Sequence, residues 1–380
     1  MSGKNSVSLY FHIPFCTKKC PYCHFYVLPD KSNLKRQLLH SIELEWSSHL
    51  SKLKGKEIVS IYFGGGTPTL LSPEQIGSIL DWIHSCGIAC APDCEITLEA
   101  NPENVSVQLM KEFLKAGINR VSIGVQSLDD STLNTLERRH GAKTAISAIE
   151  HCCSADIRNI SIDLMYDLPG QSISSWQKTL DQVSKLRITH LSLYNLTIEP
   201  HTAFFKRKES LIPLLPSPET SLEMLEMAVS SLEASGLRRY EISAFAKDDA
   251  HSRHNVGYWT GRPFLGLGPS AFSYWEKKRF RNICHLGKYS QALDQGLSPV
   301  DFEEELTWPA NLKELLAIHL RLIEGVDLRA FEEQNGALTP EMKEDLIKLH
   351  EQGLLEYNVR SVKLSRKGLL FYDSVASAII

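Results

Sequence analysis

From residue 8 to residue 195 the chain repeats one pattern six times: a short apolar run, then a stretch with helical character. The apolar runs fall at residues 8–13, 58–63, 94–98, 120–125, 159–164 and 189–194. Between the first two, Leu34, Leu38, Ile42, Trp46 and Leu50 recur every four residues until Gly55 stops the pattern. Ser72-Pro73-Glu74-Gln75 opens the next helix with a cap, a first-turn proline and a capping-box glutamine. Helical patterning also covers residues 106–116, turns from Asp130, residues 143–155 and residues 172–186. Strands that alternate with helices pair in parallel through right-handed crossovers. Six units are too few for an eight-unit barrel, so the expected fold is α/β: an open, partial (β/α)6 barrel.

Polar residues follow the same order. A cysteine-bearing loop follows the first run, and Gly64-Gly65-Gly66-Thr67-Pro68-Thr69 follows the second. Glu99 ends the third, Gln126 the fourth and Asp163 the fifth, while Asn195 follows the sixth. In βα barrels the chemistry sits at the C-terminal ends of the strands. Glycines there let the backbone approach a ligand without a side chain in the way.

The loop after the first run holds Cys16, Cys20 and Cys23, spaced C-x3-C-x2-C. Three thiolates can hold three irons of a [4Fe-4S] cube and leave the fourth iron open, whereas electron-transfer clusters are ordinarily held by four cysteines. Zinc would want a fourth ligand, which His24 could supply, although adjacent Cys and His ligate one ion poorly. A disulfide would suit a secreted chain.

This spacing resembles that of the radical S-adenosylmethionine (SAM) enzymes. The flank Tyr10-Phe11-His12-Ile13-Pro14-Phe15-Cys16 is similar to the oxygen-independent coproporphyrinogen III oxidases and their relatives, the HemW-type haem chaperones. The resemblance runs from Tyr10 to residues 364–369 and itself implies a partial (β/α)6 barrel. It implies that the amino and carboxylate groups of SAM chelate the open iron. It also implies that Gly65, Gly66 and Thr67 face the amino end of SAM and that Glu99 pairs with its ribose or amino groups. Gln126, Arg138 and Asp163 match positions that contact the nucleoside and carboxylate, and Tyr10 matches a tyrosine that packs nearby. The chemistry suits these residue types: carboxylates accept from ribose hydroxyls, and an arginine binds a carboxylate through paired hydrogen bonds. Taken singly, Arg138 reads as a solvated charge beside Arg139, Asp163 as a strand-end cap and Tyr10 as a core residue.

Two features divide the branches. The oxidases carry a cysteine two positions after the third cluster cysteine, where this chain has Phe25. His254-Asn255-Val256-Gly257-Tyr258-Trp259 fits the His-Asn-x-x-Tyr-Trp motif of the HemW type. A histidine beside aromatics is a natural axial ligand for haem; judged alone, it reads equally as a hydrogen-bonded core histidine. His24 stands where relatives commonly have Asp. The resemblance therefore implies a haem chaperone that uses a [4Fe-4S] cluster, SAM and haem, with haem-acceptor proteins and an electron donor as partners. Its alternative is the oxidase, in which a radical made from SAM turns a porphyrinogen propionate into a vinyl group. A radical enzyme acting on an unrelated substrate is the third reading.

Bulk properties exclude other classes. A formal net charge of -4 creates no field for nucleic acid or anionic membranes. No apolar run approaches the roughly 20 residues of a membrane span, and Met1 to Ser6 are too polar for a signal sequence, so a cytoplasmic location is expected. Six further cysteines remain, of which Cys86, Cys90 and Cys94 invite but do not support a second cluster. Past Pro200, residues 211–218 read as a proline-punctuated connector, 219–235 as a helix and 239–246 as a strand. The expected division is 1–300 for the barrel and its extension and 301–380 for a small winged-helix-like domain. That tail mixes Glu and Lys without a basic stripe.

Overall fold

A computed structural model describes residues 5–380; Met1 to Lys4, read above as part of a polar N-terminus, lie outside them. The six units form as the patterning predicts. Strands β1 (Ser6–Ile13), β2 (Glu57–Gly65), β3 (Ala89–Ala100), β4 (Arg120–Gln126), β5 (Asn159–Tyr166) and β6 (His190–Asn195) pair in parallel, in that order. Between them run α1 (Ser32–Leu53), α2 (Pro73–Ser85), α3 (Val107–Lys115), α4 (Asp130–Thr135), α5 (Ala142–Ser154) and α6 (Ile173–Val183). The capping box at Ser72 and Gln75 forms as expected.

The strands alternate sharply between their two faces. Leu9, Phe11, Ile61, Phe63, Leu98, Val121, Ile123, Ile160, Ile162 and Leu191 point outward and are buried under the helices. There they meet Leu38, Ile42, Ile79, Ile83, Phe113, Ile149 and Trp176. The inward face is mostly polar, an arrangement that period-2 geometry makes possible. Its lower half, with Ser8, Ser60, Glu95, Arg120, Ser161 and His190, is sealed from solvent. Its upper half, with Tyr10, Tyr62, Glu99, Gly124 and Asp163, keeps accessible surface. The lumen is therefore closed at the floor and open at the C-terminal mouth.

Beyond the barrel come α7 (Pro218–Ala234), then β7 (Arg238–Glu241) and β8 (Ala244–Ala246), then α8 (Arg253–Trp259). The single strand expected over 239–246 is instead this antiparallel hairpin, turned at Ile242 and Ser243; β8 pairs with β6. On the other edge, β9 (Phe264–Leu267) pairs in parallel with β1. It is followed antiparallel by β10 (Phe272–Trp275), β11 (Lys278–Asn282) and β12 (Val300–Glu305), with α9 (Leu286–Asp294) before the last strand. The complete sheet has 12 strands, and β6 never returns to β1, so the barrel stays open.

A second core gathers α10 (Ala310–His319), β13 (Val326–Asp327), α11 (Leu328–Asn335), α12 (Pro340–Glu351), β14 (Leu355–Tyr357), β15 (Ser361–Leu364) and α13 (Tyr372–Ile379). Its helix–strand–helix–helix–strand–strand order is that of a winged helix. The peptide nitrogens of Ile242 and Ile323 stitch it to the hairpin, bonding Arg321 O at 3.1 Å and Tyr240 O at 3.0 Å.

Candidate functional site at the barrel mouth

The cysteine loop leaves β1 and is clamped at its neck by backbone bonds. Gly66 N donates to Ile13 O (2.9 Å), Thr67 N to Phe15 O (2.7 Å) and Leu28 N to Pro14 O (2.6 Å). Gly66 has to be glycine: an added Cβ would lie 2.6 Å from Phe15 O. Gly65 has φ +107°, and a Cβ there would lie 2.4 Å from the His12 ring. The glycine run thus lies directly against the base of the loop.

The mouth is wired by a few side chains. Glu99 accepts from Tyr62 Oη (2.8 Å) and from Gly65 N (3.0 Å). Burial, with Asp163 nearby, pushes Glu99 up to about 7 despite the Tyr62 bond, and burial pushes Asp163 up to about 6. Gln126 has φ 66°, an uncommon backbone for a residue with a side chain, at a bulge between Gly124 and Gln126. Arg138 reaches in from the loop after α4 and donates to Gly124 O (2.8 Å), Asn101 Oδ1 (2.8 Å) and Cys20 Sγ (3.3 Å). Its Nε is buried without a partner. Tyr10 lies on β1, where its hydroxyl bonds His12 Nδ1 at 3.1 Å and its ring stacks on Tyr62. Burial lowers His12 to about 4, so the ring is neutral; Nε2 donates to Tyr26 O, leaving Nδ1 to accept from Tyr10.

Cys16, Cys20 and Cys23, the glycine run, Glu99, Gln126, Arg138, Asp163 and Tyr10 thus share one end of the barrel. Burial raises the Cys16 and Cys23 thiols, so the bare loop holds them protonated; a bound metal deprotonates such thiols outright. Three soft donors on one clamped loop, the orphaned Arg138 Nε and a Cβ-free backbone fit an iron–sulfur cube with an anionic ligand beside it. Among the described residues no three His, Cys, Asp or Glu side chains converge as on a single ion. His24 and Phe25 are exposed, their rings 4.7 Å apart.

His254 lies one layer below the mouth, its ring centroid 4.9 Å from that of Tyr62 and 6.3 Å from that of Tyr10. It lies on α8, the helix that closes the barrel floor, where the N–H groups of Arg253 and His254 donate to the two Glu95 oxygens (2.9 and 3.1 Å). Its Nδ1 meets Ser60 Oγ (3.0 Å) and its Nε2 meets Tyr258 Oη (2.8 Å). The Ser60 hydroxyl donates onward to Ser8, so Nδ1 carries the proton and Nε2 accepts from Tyr258. The ring is 1% exposed, and burial lowers it to about 3. Ser60 precedes Gly65 by five residues, about 16 Å along a strand. Cys86, Cys90 and Cys94 cluster at that same lower end, around the start of β3.

Sequence reasoning missed Tyr62, Asn101 and Gly124. The signal was present: Tyr62 and Asn101 each stand two residues from a lumen position, Gly64 and Glu99, and so share its face.

Residues 10–183 match the radical SAM superfamily, and residues 306–371 match the HemN C-terminal domain. The chain is 32% identical over 377 residues to heme chaperone HemW of Bacillus subtilis, covering 98% of this chain and 99% of that one. It is 33% identical over 390 residues to radical S-adenosyl methionine domain-containing protein 1, mitochondrial, of Danio rerio, covering 98% and 86%. Among solved structures, the Escherichia coli coproporphyrinogen III oxidase HemN superposes with a TM-score of 0.86 at 24% identity, over 99% of this chain and 90% of that one. At that identity the likeness is one of fold.

Proposed function

The chain belongs to the HemW family of radical SAM proteins, and from that membership we propose that it is a haem chaperone that binds a [4Fe-4S] cluster, SAM and haem and hands haem to acceptor proteins. Cys16, Cys20 and Cys23 hold the cluster. Gly65, Gly66, Thr67, Glu99, Gln126, Arg138, Asp163 and Tyr10 receive SAM, with Arg138 offering its unpaired Nε to a carboxylate and Glu99 accepting a hydrogen bond from the amino group. When bound, the cluster supplies an electron and an iron open to a further ligand. The protein orients SAM, neutralises its charges and keeps water from the sealed lower lumen. His254 is the proposed haem ligand; ligation requires its Nε2 to leave Tyr258 and α8 to move from the floor.

The observation that carries the chaperone reading over the oxidase is Phe25. Its ring is 51% exposed beside the cluster cysteines, at the position where the oxidases have a further thiol. The test is an anaerobic assay of cluster-reconstituted protein with SAM, a strong reductant and coproporphyrinogen III, with haem titrated into the same preparation. The expected result is saturable haem binding without decarboxylation. Decarboxylated product without saturable haem would make the protein an oxidase.

A further inference from the structure

Three side chains link two of the three cluster cysteines. Arg138 Nη2 donates to Asn101 Oδ1 at 2.8 Å, and Asn101 Nδ2 donates to Thr67 Oγ1 at 2.9 Å. Thr67 Oγ1 lies 3.6 Å from Cys16 Sγ, and Arg138 Nη1 lies 3.3 Å from Cys20 Sγ. The direction of every bond follows from chemistry. A guanidinium only donates, so the Asn101 oxygen faces Arg138 and its amide nitrogen faces Thr67. Thr67 therefore accepts from Asn101, and its own hydroxyl proton is left for Cys16. Thr67 is 2% exposed, so water does not compete for that proton. Gly124 lines the other side of the relay: a Cβ there would lie 3.5 Å from Arg138 Nη2 and 3.6 Å from Asn101 Oδ1.

We propose that Asn101 is a positioning residue that locks Arg138 and Thr67 into a donor belt across the Cys20 and Cys16 sulfurs and so raises the reduction potential of the cluster they hold. Hydrogen bonds to cluster sulfurs offset the negative charge gained on reduction and favour the reduced state. Asn101 supplies no bond to a sulfur itself; it turns one fixed cation into two aimed donors.

The inference rests on the cluster reading of the cysteines, and its test separates the two. Iron and sulfide content of reconstituted parent and Cys16→Ala tests the cluster. The belt is tested on full-length protein without SAM, by titration with dithionite followed by electron paramagnetic resonance of the reduced cluster. Thr67→Val and Asn101→Leu are expected to lower the potential. At the parent's midpoint the ratio of reduced to oxidised cluster falls about tenfold, a shift of ~59 mV for one electron. Thr67→Ser keeps the hydroxyl and stays with the parent. In deuterated buffer the parent shows an exchangeable deuteron coupled to the cluster that Thr67→Val lacks. Equal potentials in Thr67→Val and parent at equal iron content would overturn the belt. Should neither variant take up a cluster, the parent decides, because the absence of that deuteron coupling overturns it too.

Discussion

Glu99 carries a proton at a pH where most carboxylates have lost theirs. Burial raises it to about 7, so below that value it is neutral and a weak acceptor for the amino group of SAM in the proposed site. Above it the carboxylate is ionised and a strong acceptor for that amino group. The affinity of cluster-loaded protein for SAM is therefore expected to rise with pH, by up to about tenfold per unit below pH 7, and then to level off. In Glu99→Gln both the affinity and this slope are lost, as calorimetry from pH 5.5 to 8.5 would show. His254 is tested differently. If its Nε2 is the haem ligand, Tyr258→Phe removes a competing hydrogen bond of about 1 kcal/mol and tightens haem binding roughly fivefold. A haem affinity unmoved by Tyr258→Phe makes His254 a bolt of the barrel floor and nothing more. The strand-end residues at the mouth were legible from their order along the chain, and Arg138 and Tyr10 only through the family resemblance. The position of His254 was not, because nothing local to its motif says which end of a barrel the helix will close.

Elements were legible where their cause is local. The strand–helix alternation, the cap at Ser72 and the glycine stops all recur in the structure within a few residues. Strand ends were less so: β2 runs on through Gly64 and Gly65, because β1 continues beside it and pairs Ile13 with Gly65. That extension brings the glycine run against the cysteine loop. Gly66→Ala pushes a methyl group into Phe15 O and Ile13 O, an overlap costing about 1–3 kcal/mol. The expected outcome is a folded chain that takes up less iron and sulfide than the parent; full loading would mean the clamp is unnecessary. Strands β9 to β12 were missed altogether. Residues 301–305, Asp-Phe-Glu-Glu-Glu, look like a charged boundary. They form β12, and their carboxylates meet β11 across the ladder: Arg281 with Asp301 at 3.0 Å, Lys278 with Glu303 at 2.9 Å, Arg279 with Glu304 at 2.5 Å. Opposite charges on facing strands stabilise a pair that neither strand's apolar content would suggest.

At the scale of the whole molecule, one buried carboxylate ties the barrel to that extension. Glu45 of α1 is 1% exposed and accepts from Gly268 N (2.8 Å), Asn282 Nδ2 (2.6 Å) and Tyr289 Oη (2.5 Å). Removing it leaves three donors unsatisfied in the interior. Glu45→Ala is expected to cost about 3–5 kcal/mol, read as a lower urea midpoint. A change below about 1 kcal/mol would show that the extension holds by its strand pairing alone. The second core is joined to the first through Tyr240 and Arg321. Tyr240 Oη also bonds His190 Nε2 on the barrel floor at 2.9 Å, so the C-terminal core and the floor share a support. Among the described residues no helix is long and apolar enough to cross a membrane.

Period, spacing and punctuation belong to the sequence by itself. They determined the six barrel units, the polar residues at the strand ends and the three cysteines on one loop, because each depends on residues a few positions apart. Tertiary structure decided what depends on distant partners. It joined Asn101 to Thr67 and Arg138, residues 34 and 37 positions away, and bound Glu45 to Asn282 across 237. It also sealed one end of the lumen with α8 while leaving the other open. Such pairings have no local signature, since the energy that selects them appears only when the chain brings both partners into the same dry space.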